Sequence, residues 1–233
     1  MTPQKRTARV AGFLYLIVVL TGMFSLLYVP SKLIVWSNAA ETFNNIVASE
    51  TLFRLGIFAG IICYTAFLLL PFVLYTLLNA VNKTHAAAMV ILAVISVPIS
   101  LVNLLNKFAV LTLISKADYL KHLNTGELQS QVLLNLEHYN NGIDLASIFW
   151  GLWLFPFGYL VFKSGFLPKI LGIFLMAGCF GYLIKFTGSF LFPGYSALGI
   201  SSYISLPSAI GEIGICLWLL IVGIRTPKTS GIN

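Results

Sequence analysis

Charge is what this sequence has least of: only 9% of its 233 residues are Asp, Glu, Lys or Arg. Soluble domains carry about 25%, so an ordinary water-soluble fold is excluded. A basic run is also missing. The lysines and arginines stand singly at the ends of apolar stretches, so the net charge of +7 does not mark a nucleic-acid partner. Three cysteines, Cys63, Cys179 and Cys216, show no CxxC spacing, which excludes a disulfide framework or zinc site and leaves them as small packing residues. His122 and His138 have no third ligand at metal spacing. The chain lacks the paired-glutamate motif with a following histidine of an intramembrane metalloprotease, a GxSx followed by a distant histidine of the rhomboid kind, a P-loop and a Rossmann fingerprint. No catalytic motif and no cofactor motif is present, which weighs against an enzyme. Inverted halves of the kind that mark secondary transporters are not visible.

Hydrocarbon is what the sequence has in excess: 58% hydrophobic residues and a mean hydropathy of +0.93. A bilayer core takes about 20 predominantly apolar residues as a helix. Six stretches qualify, at roughly 10–29, 53–78, 86–114, 143–162, 169–192 and 207–224. The fold class expected is therefore all-α: one domain over 1–233, an integral membrane bundle of six transmembrane helices. Lys5, Arg6 and Arg9 precede an apolar run that continues to Val29. That run is longer than a signal-peptide core and has no small-x-small cleavage site close behind it, so it reads as the first membrane helix.

Lys/Arg bias in short loops sets orientation. With the N-terminus inside, the cytoplasmic segments hold Lys5, Arg6, Arg9, Lys83, Lys163, Lys169, Arg225 and Lys228 and no acid. The opposite side holds Lys32, Lys116 and Lys121 among Glu41, Glu50, Asp118, Glu127 and Glu137. Both termini are thus expected in the cytoplasm, with the protein multi-pass in the cell inner (plasma) membrane. The two longer outer loops, 37–51 and 116–141, place apolar residues at helical spacing and predict short amphipathic helices there.

Small residues allow helices to approach in lipid. Gly56-x-x-x-Gly60, Gly172, Gly178, Gly181, Gly211 and Gly214 supply such faces. Pro71, Pro98 and Pro156 are expected to interrupt helices two, three and four.

Ionisable residues inside a span are costly and usually face the bundle interior. Five occur here: Arg54, Lys107, Asp144, Lys185 and Glu212. At about 1.5 Å of rise per residue, all five fall in the outer half. Each continues a polar stripe, for example Ser96, Ser100, Asn103 and Lys107 on helix three. If those faces converge, the outer half holds a polar pocket with three positive and two negative charges. Lys107, Lys185 and Arg54 would meet an anionic or zwitterionic group, Asn103 would orient it, and Trp150 and Trp153 would cover an apolar part. The alternative is that Lys185–Glu212 and Arg54–Asp144 are ion pairs that only fix helix register.

The segments RTARVAGFLYLIVVLTGMFS, AAETFNNIVASETLFRLGI, FGYLVFKSGFLPKILG and GEIGICLWLLIVG, in this order, resemble the bacterial membrane-protein family catalogued as domain of unknown function 4386. The likeness runs through nearly the whole chain. It implies a multi-pass inner-membrane protein and carries over no reaction; Arg54 and Glu212 fall within its motifs. The expected role is binding or moving a small anionic or zwitterionic ligand or lipid headgroup, with membrane lipid as partner. A structural or regulatory membrane partner is the alternative, and a lipid-modifying enzyme using Glu212 as acid or base is the third reading.

Overall fold

The computed structural model describes residues 2–115, 117–192, 194–195 and 199–224, with the side chains of 201 and 202 left aside. Lys116, Arg225 and Lys228, three of the charges used for orientation, lie outside the described residues. The elements are α1 Pro3–Met23, a π-helical segment Phe24–Tyr28, α2 Val29–Leu33, α3 Ala39–Ala48, α4 Glu50–Leu78, α5 Lys83–Asn103 and α6 Leu105–Ile114. A 3-10 turn Asp118–Leu120 follows, then α7 Thr125–Leu152, α8 Leu154–Lys163, α9 Lys169–Leu191 and α10 Ile200–Ile221. Among the described residues there is no strand. Six helical stretches among the described residues are long and apolar enough to cross a membrane: Pro3–Leu33, Glu50–Leu78, Lys83–Ile114, Thr125–Lys163, Lys169–Leu191 and Tyr203–Ile221. The protein is an all-helical, multi-pass membrane protein.

The helix irregularities follow from missing donors. Pro30 offers no N–H to the turn before it, and there the helix widens, with the Val29 N–H reaching Phe24 O. Pro156 cannot donate to the Leu152 carbonyl, and the fourth span breaks at Trp153, between α7 and α8. Pro71 and Pro98, expected to interrupt their helices, lie inside continuous α4 and α5. One proline removes one hydrogen bond, and the flanking bonds hold the path. The third span breaks instead at Leu104, where the backbone N–H is shared between Ser100 O (3.3 Å) and Leu101 O (3.2 Å).

The loop 116–141 also differs from expectation. Its amphipathic pattern is not a separate short helix but the first part of α7. Asn124 and Glu127 form a reciprocal cap: the Glu127 N–H donates to Asn124 Oδ1 (2.9 Å) and the Asn124 N–H to Glu127 Oε2 (2.8 Å). Nothing after that cap removes a backbone donor until Pro156, so the helix runs on into the span. The loop 37–51 does hold a separate helix, α3, opened by Asn38 accepting from the Glu41 N–H. Its Thr42 hydroxyl donates to Val35 O and accepts from Val35 N, which ties α3 to the chain before it.

The chain falls into two compact units. One comprises 17–66 and 97–146, with a core of Val29, Leu33, Ile46, Phe53, Ile57, Val110, Val132 and Leu136. The other comprises the N-terminal segment to Leu16 with 67–96 and the chain from Ser147. In the latter, α9 packs on α8 and on α10. Close approach there depends on glycine: a Cβ at Gly158 would meet the Gly172 carbonyl at 2.6 Å, and one at Gly178 the Ser208 Cα at 2.7 Å.

Candidate functional site

In the unit of 17–66 and 97–146, polar groups collect where α4, α6 and α7 meet. Lys107, in the first turn of α6, is 2% exposed. Its ammonium lies 4.0 Å from the centroid of the Tyr139 ring on α7. Neither ion pair of the described residues, Arg54–Glu50 or Lys121–Asp118, includes it. The Tyr139 hydroxyl is 3.4 Å from that of Tyr64 on α4. Asn103, one turn before Lys107, donates from Nδ2 to Tyr139 O (2.7 Å) and accepts at Oδ1 from Asn106 Nδ2 (3.0 Å). This locks the carboxamide across α5 and α7. Gly142 on α7 makes room for it, because a Cβ at 142 would collide with the Asn103 amide.

The magnitudes show what this arrangement lacks. A charge at the centre of a membrane helix costs about 3 kcal/mol on insertion scales and more in dry surroundings. A ring face returns about 2 kcal/mol when desolvated. Among the described residues neither ion pair supplies Lys107 with a carboxylate. Ser25, in the π segment, is also buried, and its Oγ makes no hydrogen bond among the described residues. Beside this cluster runs an open groove of about 640 Å³ lined by Pro98, Ile99, Val102, Asn103, Leu105, Asn106 and Gly142.

In the other unit, Glu212 on α10 accepts hydrogen bonds from Tyr15 (Oε2, 3.0 Å) and Tyr182 (Oε1, 3.4 Å). Three helices are clipped by one carboxylate. Tyr15 is 1% exposed and lies 6.2 Å from Trp153. Trp153 in turn stacks on Phe157 and meets the edge of Phe67, each at 5.1 Å. Tyr182 is seated by Gly151, where a Cβ would fall 2.6 Å from the tyrosine Cβ.

The expected site residues thus divide. Asn103 and Lys107 come together, as their stripe on helix three implies, and Ser100 of the same stripe and unit is also buried. Arg54 is exposed and pairs with Glu50 at 2.7 Å, one turn earlier on α4. The pair expected with Asp144 is not among the ion pairs of the described residues; Asp144 is half-buried on α7. The Lys185–Glu212 pair is likewise replaced. Tyr182, one turn before Lys185, takes the position facing Glu212, and Lys185 is exposed. Trp150 is half-buried, and Trp153 is core packing rather than a pocket wall. His122 and His138 are exposed.

Tyr15, Tyr64 and Tyr139 were not singled out from the sequence. Their signal was a phenol inside or bordering an apolar span, whose hydroxyl must find a partner when buried.

No solved structure matches the chain. An uncharacterized protein of Archaeoglobus fulgidus is 40% identical over 81 residues, 35% of this chain and 46% of the relative. The matched segment therefore spans about half of that relative's length. The family described as domain of unknown function (DUF4386) matches residues 10–223. That match takes in nearly all of the helical run, from within α1 to past the end of α10, and the chain belongs to the DUF4386 family.

Proposed function

We propose that the protein binds a small anionic or zwitterionic group, free or carried on a lipid headgroup, at Lys107 within the membrane. The observation that carries this reading is the buried Lys107 ammonium, which lies on the Tyr139 ring with no carboxylate paired to it among the described residues. Lys107 would supply the charge-assisted contact. The Tyr64 and Tyr139 hydroxyls would donate from the far side, and Asn103 would hold α5 and α7 in register around the ligand.

Native mass spectrometry of the purified protein tests it. Wild type should carry an anionic small molecule or lipid, reduced about tenfold, or 1.4 kcal/mol, in Lys107→Gln. Arg54→Gln should keep it, since Arg54 is exposed and paired with Glu50. Equal retention by all three proteins would leave Lys107 a packing residue and favour a purely structural role.

The same reading places both termini in the cytoplasm and α3 with the start of α7 outside, in the inner membrane. Support comes from the acid-free basic set Lys5, Arg6, Arg9, Lys83, Lys163 and Lys169. Thiols introduced at Thr84 and Asn124, both exposed, check it. An impermeant reagent added to intact cells should modify position 124 and spare 84; the reverse pattern inverts the topology.

A further inference from the structure

Glu212 is a titratable group that the Lys107 site does not use. It stands nine residues from either end of the span Tyr203–Ile221, which puts it about 14 Å from both. A charge at that depth is costly and usually has a counter-charge or a function. Its partners here are two phenols, Tyr15 of α1 and Tyr182 of α9, which give hydrogen bonds and no positive charge. Neither ion pair of the described residues includes it. The other titratable groups near it are thiols: Cys179, one turn before Tyr182 on α9, and Cys216, one turn on along α10, both buried. Lys185 of α9 is exposed. Trp153, which packs on Tyr15 from the end of α7, brings no ionisable group. The two phenols differ. Tyr15 is 1% exposed and holds Oε2 at 3.0 Å, whereas Tyr182 is half-buried and meets Oε1 at 3.4 Å. Polarity around the carboxyl is one-sided as well. Toward the Leu191 end of α9 and the start of α10, polar side chains continue. Ser208 lies one turn from Glu212 and donates to Ser205 O at 2.8 Å; Lys185 and Ser189 follow Tyr182 on α9. Toward Lys169 and Ile221, Leu175, Cys179, Ile215 and Leu219 are buried and bring no oxygen.

We infer that Glu212 is a proton-binding site at the middle of its span, filled from the Leu191 end of α9 through Tyr182. A proton removes the charge and needs no cavity, which suits a carboxyl held between tyrosines on two helices. Tyr182 passes its hydroxyl hydrogen to Oε1 and takes a proton from water on its other side. The new carboxyl O–H then donates to the Tyr182 oxygen, whose own hydrogen points away from Glu212. Tyr15 donates to Oε2 in both states, so it anchors the carboxyl while Tyr182 relays. The site is independent of Lys107, which lies in the other unit.

Infrared titration of the purified protein in detergent tests this, because a protonated carboxyl and a carboxylate absorb at separate frequencies. The difference between wild type and Glu212→Gln should show a carboxyl band replacing carboxylate bands as the pH is lowered. Glu212→Asp, which moves that band instead of deleting it, is the second variant should Glu212→Gln fail to fold. On transfer to heavy water, Tyr182→Phe should slow deuterium exchange of the band about tenfold, while Tyr15→Phe should leave the exchange rate as in wild type. A carboxyl that shows no conversion at any pH where the protein stays folded overturns the proton site and leaves Glu212 a helix clip. If Tyr15→Phe slows exchange as much as Tyr182→Phe does, or if neither slows it, the route through Tyr182 is overturned.

Discussion

Gly12→Val should destabilise the detergent-solubilised protein by about 3 kcal/mol and convert much of it to aggregate on size exclusion. A Cβ at position 12 would collide with the Leu220 backbone nitrogen and lie 2.8 Å from Leu219 C and Leu220 Cα. These are main-chain atoms of α10, which cannot rotate aside as a side-chain tip would. Relief requires α1 and α10 to separate, and separation loses several contacts at once. Gly12 O would lose the Cys216 thiol, 3.7 Å away, and Tyr15, one turn on, would be drawn from Glu212. Gly126→Ala is the matched control. Its added methyl meets only Asn124 Oδ1, at an ordinary 3.4 Å, in an exposed first turn where alanine is favoured over glycine by about 0.5–1 kcal/mol. Thermal melts of the two variants should therefore move in opposite directions. Equal melting temperatures would mean that α1 and α10 do not approach this closely.

Most of the fold was legible because a span is a composition effect. Twenty apolar residues without charge have one stable arrangement in lipid, and each of the six expected stretches overlaps an observed one, the first four lying wholly inside it and the last two running a few residues past its end. Boundaries were less legible where a helix continues into water. The fourth span begins about 18 residues earlier than hydropathy implies, since polarity rather than helicity ends at residue 143. The Asn124–Glu127 cap that starts it was readable from the letters alone.

The site was legible in part, and the reason differs by residue. Lys107 and Asn103 share a face whose neighbours Ser96 and Ser100 are small and polar, so burial of one implied burial of all. Arg54 and Lys185 are single charges near helix ends. There a long side chain can leave the interior along its own aliphatic stem, and both residues are exposed. Depth alone cannot distinguish those two cases. The partner of Glu212 was misassigned for a related reason. Charge complementarity suggested Lys185, but a phenol delivers a hydrogen bond without the desolvation of a second ion.

That last point makes the Glu212 series the sharpest energetic test of the described site. Glu212→Leu should cost about 3 kcal/mol, because the Tyr15 and Tyr182 hydroxyls both lose their acceptor and an orphaned buried hydroxyl costs about 1–3 kcal/mol. Glu212→Gln should cost under about 1 kcal/mol. The amide oxygen still accepts from Tyr15, whose bond is the shorter at 3.0 Å, and the amide nitrogen can donate to Tyr182 as its hydroxyl turns. Lys185→Ala should change stability by no more than about 0.5 kcal/mol, since the residue is exposed. The pair behind these effects is read by a double-mutant cycle. Tyr15→Phe and Glu212→Leu remove the same hydrogen bond, so together they should cost less than their sum by about 1 kcal/mol or more. Additive losses, or a Lys185→Ala penalty matching that of Glu212→Leu, would restore the ion pair as the lock between α9 and α10 and remove the tyrosines from that role.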